Sequence, residues 1–108
     1  MVIPEDIKDI VIRFSREAKK TFDIDKIVLF GSYANGTATE LSDIDIAVQM
    51  SSKNHGNILE IGIKLWNIAA KIDIRIEPKI FFSEDYDPNE PASIYNHILR
   101  TGIDIKIN

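Results

Sequence analysis

The feature that most constrains this chain is a pair of apolar runs joined by a polar link. The first run, IVLF at 27–30, ends abruptly at Gly31-Ser32. Ten residues after Ser32, the triplet Asp43-Ile44-Asp45 opens a second run that continues to Val48. Runs rich in β-branched and aromatic residues and bounded by Gly or Asn are typical of strands. We therefore predict two strands joined by a link longer than the common length of about two to six residues.

The second strand places two carboxylates on one face. Because strand side chains alternate, one face carries Asp43, Asp45, Ala47 and Gln49, and the other carries Ile44, Ile46 and Val48. Two like charges this close are unfavourable unless they are protonated, solvated or bridged by a cation. Oxygen ligands without Cys or a nearby His suit Mg²⁺ or Mn²⁺ rather than Zn²⁺. Taken alone, such a pair is more often a solvated face than a metal site.

Gly31-Ser32 supplies a matching anion site. A glycine between a strand end and a helix start exposes backbone N–H groups, and the Ser32 hydroxyl can donate one more hydrogen bond. Taken alone, Gly-Ser after a strand is usually an ordinary turn. The two features together, at a spacing that lets the link fold back, are much more specific for a site that binds phosphates and a metal.

The composition is that of a soluble globular protein. Its 108 residues, 44% apolar and 28% charged, suit one domain at 1–108 with a real hydrophobic core. The N-terminus MVIPEDIKDI lacks the bases of a signal peptide, and no apolar run approaches the roughly 20 residues that span a bilayer. With no cysteine, disulfides and thiolate metal sites are excluded, and a cytoplasmic location without a membrane partner is expected. A net charge of −4 argues against nucleic acid as a partner bound over a broad surface, although it leaves room for a local basic patch.

The remaining segments complete an α/β (α+β) domain. Hydrophobic spacing predicts helices at 4–22, 58–70 and 91–101, a helical turn at 32–36, strands at 26–30, 72–77 and 103–107, and an irregular loop at 81–90. Pro78 marks the end of regular pairing or an edge, and the last strand is also expected at an edge. The predicted order αβ(α)βαβαβ gives a small mixed sheet flanked by helices.

The run Phe30-Gly31-Ser32, ten residues and then Asp43-Ile44-Asp45-Ile46 resembles the signature of the DNA polymerase β-like nucleotidyltransferase superfamily. The longer text GSYANGTATELSDIDIAV is similar to that of the prokaryotic minimal nucleotidyltransferase (MNT) family, and LRTGIDI near the C-terminus extends the resemblance over nearly the whole chain. The resemblance implies a nucleotidyltransferase fold like the palm of polymerase β.

The same resemblance implies a mechanism. Asp43 and Asp45 would hold divalent metal ions that bridge the phosphates of a nucleotide. Gly31 and Ser32 would bind the β- and γ-phosphates of ATP or another nucleoside triphosphate. An acceptor hydroxyl would attack the α-phosphorus and pyrophosphate would leave. A third acidic residue on a neighbouring strand would complete the metal site and help to activate the hydroxyl.

Asp73 and Glu77 are the candidates for that third carboxylate, since both lie on the polar face of the strand predicted at 72–77. Glu77 is favoured because it lies nearer the C-terminal end of that strand and the expected cleft. The catalytic and metal-binding set is then Asp43, Asp45 and Glu77. Alternatively, either candidate simply pairs with Arg75 or Lys79 at the surface, an interaction that is worth little.

A few other side chains were candidates for ligand contact. Lys53 and His55 lie in the loop after the second strand and could touch a triphosphate, although a solvated loop is favoured. Arg75 could neutralise phosphate, but an ion pair with a flanking acid is the better interpretation. Trp66 and Tyr95 are expected in the core or in an interface rather than stacked on a base.

Three classes of function fit these observations. The resemblance implies transfer of AMP or another nucleotide to a hydroxyl, commonly a tyrosine, of a HEPN-domain partner, with this chain as the antitoxin of a toxin–antitoxin pair. The alternative is a non-catalytic module that binds a nucleotide or a partner. An unrelated small-molecule α/β protein requires the whole pattern to be accidental. The sequence leaves the base, the acceptor and the oligomeric state open, a homo-oligomer included.

Overall fold

The structure, a computed structural model, describes residues 3–51, 56–90 and 92–106. Within these ranges the helices are α1 (Glu5–Thr21), α2 (Ser32–Asn35), α3 (Ile58–Ile72) and α4 (Ile94–Thr101), and the strands are β1 (Ile24–Phe30), β2 (Ile44–Met50), β3 (Ile76–Phe82) and β4 (Ile103–Asp104). A single 3₁₀ turn, Ser83–Asp85, follows β3. The predicted succession of elements and the α+β class are confirmed.

The four strands form one mixed sheet in the order β3-β2-β1-β4. β1 runs antiparallel to both β2 and β4, whereas β2 runs parallel to β3. Parallel neighbours need a crossover connection, and α3 supplies it between β2 and β3. β3 and β4 lie at the two edges. Pro78 is therefore tolerated within β3, as predicted for an edge, because an edge strand can lack one ladder N–H.

The two faces of the sheet are covered differently. α1 and α3 pack their apolar sides on the face that carries Ile44, Ile46 and Val48, which forms the main core. On the other face a smaller cluster brings Val28 and Ala47 against Ile98 of α4. Alternation in β2 thus directs the branched residues into the main core and leaves the face of Asp45 only partly covered.

The position predicted for the third strand was wrong at its beginning. α3 continues to Ile72, and the N–H of its C-cap residue Asp73 donates to the Ala69 carbonyl at 2.9 Å. Ile74, which lies within the strand predicted at 72–77, is in a turn and is 89% exposed. The alternating text IDIRI crosses a helix end and a turn, so its period of two does not represent a strand.

The last third of the chain also differs in its bounds. β3 ends at Phe82, so the loop predicted at 81–90 begins later than expected. α4 starts after Ser93, whose side chain accepts from the Asn96 N–H, because a serine at this position caps the first turn. β4 covers only Ile103–Asp104 of the predicted 103–107, and residue 107 lies outside the described residues. Among the described residues, no helix combines the length and the apolar character needed to cross a membrane.

Candidate active site

The junction between β1 and α2 begins the site. Gly31 has φ 75° and ψ −150°, a backbone conformation that side-chain-bearing residues rarely adopt. Its carbonyl accepts from the N–H groups of Ala34 and Asn35, both at 3.1 Å, which starts the single helical turn α2. Gly36, with φ 83°, ends that turn in the left-handed region. The chain therefore passes from β1 into α2 through Gly31, and Ser32 is the first residue of α2.

Gly31 also lies directly against Asp45. A Cβ atom added at Gly31 would overlap Asp45 Oδ2 and would lie 3.2 Å from Asp45 Cγ. The absence of a side chain at Gly31 is thus needed twice, for the positive φ and for the close approach of the carboxylate. The two halves of the sequence motif, separated by ten residues, meet at this contact.

The link between the halves is held by local hydrogen bonds. The Tyr33 hydroxyl donates to the Thr39 carbonyl at 3.2 Å. The Thr39 N–H donates to Ser42 Oγ at 2.8 Å, and the Ser42 N–H donates back to the Thr39 carbonyl at 3.1 Å. Ser42 is consequently fixed immediately before Asp43, and β2 starts in a defined position.

The strand register places Asp45 at the centre of the site. In the sheet Asp45 is opposite Phe30 of β1 on one side and opposite Glu77 of β3 on the other. Asp45 is half-buried, as is Glu77, whereas Asp43 lies just before β2 and is exposed. The start of β2 is attached to the turn before β3 by the Ile44 N–H, which donates to the Arg75 carbonyl at 2.8 Å.

Asp45 lies in a strongly acidic environment. Burial, then the hydrogen bond with Glu77 and its charge, and then the charge of Asp43, raise the pKa of Asp45 to about 6 from 3.8. The positive charge of Lys79, which is two residues after Glu77 on β3, lowers the pKa of Asp45 and so opposes this rise only in part. Asp45 therefore keeps its proton to a higher pH than an ordinary carboxyl group does, because a half-buried carboxyl group beside other carboxylates resists ionising.

The other candidate for the third carboxylate is held elsewhere. Asp73 accepts from the Arg75 N–H at 2.9 Å, from Arg75 Nε at 3.0 Å and from Arg75 Nη2 at 2.9 Å. These bonds with the Arg75 guanidinium lower the pKa of Asp73. The ion pair expected for Arg75 is present, and it keeps Asp73 in the turn before β3. The register brings Glu77, and not Asp73, to Asp45.

The donor set suits a hard divalent cation. Asp43, Asp45 and Glu77 offer only carboxylate oxygens, and the raised pKa of Asp45 shows negative charge that a cation would neutralise. The residues present therefore fit Mg²⁺ or Mn²⁺. However, in the described part of the chain no three acidic or histidine side chains converge as a ready metal-binding cluster. Asp45 and Glu77 form the centre of the site, with Asp43 as a neighbouring charge.

A cavity of about 450 Å³ adjoins Gly31 between α2 and α4. Phe30, Ile94 and Ile98 supply apolar walls, and the polar lining includes Asn35 and His97. Sequence reasoning did not single out Asn35 or His97, since the packing of α4 beside α2 is a long-range contact without a local sequence signal. Lys53 and His55, considered above, lie outside the described residues. Trp66 is 47% exposed, whereas Tyr95 is buried as expected.

Comparison with solved structures places this fold among the nucleotidyltransferases. The crystal structure of a candidate nucleotidyltransferase from Sulfolobus solfataricus superposes with a TM-score of 0.58 and 18% identity, over 74% of this chain and 70% of that one. The model of the family described as "Polymerase beta, Nucleotidyltransferase" matches residues 13–108. The chain belongs to this polymerase β nucleotidyltransferase family, as its sequence motif indicated.

Several named proteins that resemble this chain are archaeal. One from Methanocaldococcus jannaschii, named as a candidate protein adenylyltransferase, is 40% identical over 55 residues, which are 51% of this chain and 55% of the relative. A second protein of that organism with the same kind of name is 43% identical over 41% of this chain and 51% of its own. The protein adenylyltransferase MntA of Thermococcus cleftensis is 40% identical over 44% of this chain and 48% of its own. The matches thus span about half the length of each relative.

Proposed function

We propose that this chain is a Mg²⁺-dependent nucleotidyltransferase that transfers a nucleoside monophosphate, AMP from ATP, to a hydroxyl group of a partner. The observation that carries the proposal is the position of the Asp45 carboxylate, which lies against Gly31 and opposite Glu77. Family membership and the adenylyltransferase names of the archaeal relatives support the reaction class and the base.

Each residue of the site has a role in this proposal. Gly31 and Ser32 bind the β- and γ-phosphates at the sharp turn, where backbone N–H groups favour an anion. Asp43, Asp45 and Glu77 hold Mg²⁺ or Mn²⁺ through their carboxylate oxygens. When bound, the cation neutralises charge on the attacking and leaving oxygens.

The transfer itself is a substitution at the α-phosphorus. The acceptor oxygen forms a bond to that phosphorus as the bond to the bridging oxygen of pyrophosphate breaks, and pyrophosphate leaves. The acceptor proton passes to a carboxylate oxygen of the Asp45–Glu77 pair. Positioning by the rigid strands supplies much of the remaining rate enhancement.

Labelled nucleotide tests this reaction directly. Incubation of the protein with Mg²⁺, α-³²P-labelled ATP and a candidate partner is expected to label the partner, and Asp45→Asn is expected to abolish the label. Exposed Asp9, on α1 and outside the site, provides a matched Asp9→Asn control that retains transfer. No transfer from any nucleoside triphosphate to any candidate acceptor would count against catalysis.

The acceptor proposed is a HEPN-domain protein, with this chain as its antitoxin in a cytoplasmic toxin–antitoxin pair. Support for this partner comes from the resemblance of the chain to minimal nucleotidyltransferases and from its similarity to the relative named MntA. Co-expression with a HEPN protein encoded next to this chain should neutralise its toxicity, and the modified residue should be a hydroxyl-bearing one by mass spectrometry. A neighbouring drug-resistance context, with label found on a small molecule, would contradict the proposal.

A non-catalytic module is the second candidate, and one observation favours it. The acidic side chains of the described residues do not converge into a three-ligand cluster. A module of this kind would bind nucleotide or partner without chemistry, so Asp43→Asn would leave partner binding and neutralisation intact. Loss of neutralisation in Asp43→Asn together with loss of label would exclude it.

A further inference from the structure

The molecule carries a second candidate site on the side away from Asp45. α1 and α3 cover the sheet face of Ile44 and Ile46, whereas Asp45 projects from the opposite face. Between the outer surfaces of α1 and α3 lies a groove of about 700 Å³, called the basic groove below. Its location leaves Asp45 and Gly31 accessible when the groove is filled.

The basic groove concentrates positive charge on an acidic protein. Its rim consists of the cationic side chains Arg13, Arg16, Lys19, Lys20 and Lys71. The one acid in its lining, Glu17, is bonded to Lys20 at 2.9 Å. Among the described residues, no carboxylate lies within ion-pair distance of the other four cations. The groove therefore presents four uncompensated positive charges.

The surroundings of the groove carry the opposite charge. The groove holds five of the chain's 13 Lys and Arg residues and one of its 17 Asp and Glu residues, which leaves eight cations and 16 acids elsewhere. A long polyanion such as nucleic acid would extend from the groove onto this acidic surface, where repulsion opposes binding. A short acidic ligand would interact with the groove alone.

The floor of the groove is apolar. It is formed by Ile68 and Ile72 of α3, which are both half-buried. From Arg13 to Lys20 the rim extends over eight residues of α1, a rise of about 10 Å or two helical turns. A groove with an apolar floor and basic rims of this length complements a short helix that has apolar side chains on one face and carboxylates on its flanks.

We propose that the basic groove docks an acidic amphipathic helical segment of a partner protein, independently of the nucleotide-transfer site. The apolar face of the segment packs on Ile68 and Ile72. Its carboxylates face Arg13 and Arg16 on one side and Lys71 on the other. Charge complementarity over this short length selects the ligand, and the remaining acidic surface disfavours longer polyanions.

A designed peptide tests the groove on the full chain. The probe is a fluorescent peptide of about 14 residues, about four helical turns, with Leu at helical spacing on one face and Glu elsewhere. We expect saturable binding by fluorescence anisotropy that weakens as salt rises. A peptide of the same composition with Leu distributed around the helix should bind at least about tenfold more weakly, because it cannot cover the apolar floor.

Variants of matched charge locate the binding. The double substitution Arg13→Glu with Arg16→Glu should weaken binding at least about tenfold, because it reverses one rim. Lys8→Glu with Lys106→Glu changes the net charge equally at exposed positions outside the groove, and it should alter affinity less than about twofold. Circular dichroism checks that both variants are folded, and transfer activity should be retained in both.

Three results would overturn the proposal. The first is that the amphipathic peptide does not bind at all, and the second is that the rearranged peptide binds equally tightly. The third is that the two charge variants lose the same amount of peptide affinity. Tighter binding of a single-stranded oligonucleotide of equal charge at the same salt would instead assign the groove to nucleic acid. Because each measurement is a binding isotherm, its outcome is separate from that of the transfer assay.

Discussion

Asp45 and Glu77 stand directly opposite each other on the parallel strands β2 and β3, and their side chains share a hydrogen bond. Burial, followed by the hydrogen bond with Glu77 and the charge of Glu77, raises the pKa of Asp45 to about 6. The relationship makes the site unstable as a pair of anions and receptive to a cation. Stability and function therefore oppose each other at Asp45.

Asp45→Asn is expected to stabilise the metal-free protein near neutral pH. The folded-state pKa of Asp45, about 6, lies above its ordinary value of 3.8, so the folded protein binds more protons between these two values. The contribution of Asp45 to stability consequently falls as pH rises from about 4 to about 6 and stays low above that. Because Asp45 is only half-buried, solvent reduces the effect of its charge. The free energy of unfolding should therefore rise by about 1–2 kcal/mol in Asp45→Asn at about pH 7.

Urea denaturation at about pH 7 and about pH 4 measures that gain. The difference between Asp45→Asn and the unsubstituted protein should be largest at the higher pH and should shrink at the lower one. Asp9→Asn on the exposed side of α1 serves as the control and should change stability little at either pH. A variant that is less stable than the unsubstituted protein at about pH 7 would contradict the unfavourable charge assigned to Asp45.

Binding of Mg²⁺ should offset the destabilising effect of the ionised Asp45 carboxylate. A cation that binds the folded state and not the unfolded chain raises stability further as its free concentration rises above its Kd. We expect millimolar Mg²⁺ to raise the Tm of the unsubstituted protein at about pH 7, where the carboxyl groups ionise, and to raise it less at about pH 5. Asp45→Asn should show a much smaller response. An equal rise in both proteins would place the cation elsewhere.

Glu77→Gln and Asp73→Asn separate the two candidates for the third carboxylate. Glu77→Gln removes a charge opposite Asp45, so transfer should fall by at least about a hundredfold. Glu77→Gln should also lower the pKa of Asp45. Carbon-detected NMR of the Asp45 carboxyl group measures this pKa independently of any activity assay. Asp73→Asn weakens the bonds to Arg75 and should cost about 1 kcal/mol of stability with little loss of transfer. Full transfer activity in Glu77→Gln would show that Glu77 is not the third carboxylate of the site.

Gly31→Ala and Gly62→Ala form a matched pair with opposite expected signs. At Gly31 the added methyl group meets Asp45 Oδ2 in a backbone of positive φ, so folding stability should drop by about 1–3 kcal/mol and transfer should be lost. At Gly62, inside α3, the nearest atom is Ile80 Cδ1 at 3.8 Å, and alanine should stabilise the helix by up to about 1 kcal/mol. Thermal melts of both variants test this. Wild-type stability and transfer in Gly31→Ala would refute the close approach.

The first half of the fold was predictable because its signals are local. The alternation from Ile44 to Val48 and the end of the apolar run at Gly31 predict two strands and a turn without any information on the other elements. The third strand was misplaced because Ile72 completes a helix and Ile74 is exposed in a turn, although both fit an alternating pattern. An alternating pattern therefore does not distinguish a strand from a helix end followed by a turn, and here the turn is held by the bonds between Asp73 and Arg75.

The candidate site was predictable as a set of residues but not as an arrangement. The spacing from Ser32 to Asp43 indicates that the two segments meet, yet it does not show that Gly31 touches Asp45. Parallel pairing of β2 with β3 places Glu77, and not Asp73, opposite Asp45, and strand pairing is a long-range property that the local sequence does not give. The basic groove likewise needs α1 beside α3, which sequence periodicity alone does not establish.

Tyr95→Phe is expected to stabilise the protein, because the hydroxyl group of Tyr95 is buried without a hydrogen-bond partner among the described residues. Its ring packs 4.6 Å from that of Phe81 and 5.5 Å from that of Tyr86, so phenylalanine retains these contacts. Burial, followed by the charge of Asp25, raises the pKa of Tyr95 to about 12, which keeps the hydroxyl neutral throughout the working range. Removal of an unsatisfied polar group should add about 1 kcal/mol.

Tyr33→Phe provides the control for this last prediction. The Tyr33 hydroxyl donates to the Thr39 carbonyl at 3.2 Å, so its removal should destabilise the protein by about 1 kcal/mol. Urea denaturation should move the midpoint up for Tyr95→Phe and down for Tyr33→Phe, with unchanged slopes. If both midpoints fall equally, the Tyr95 hydroxyl makes a hydrogen bond in solution, and the stabilising effect proposed for its removal is wrong.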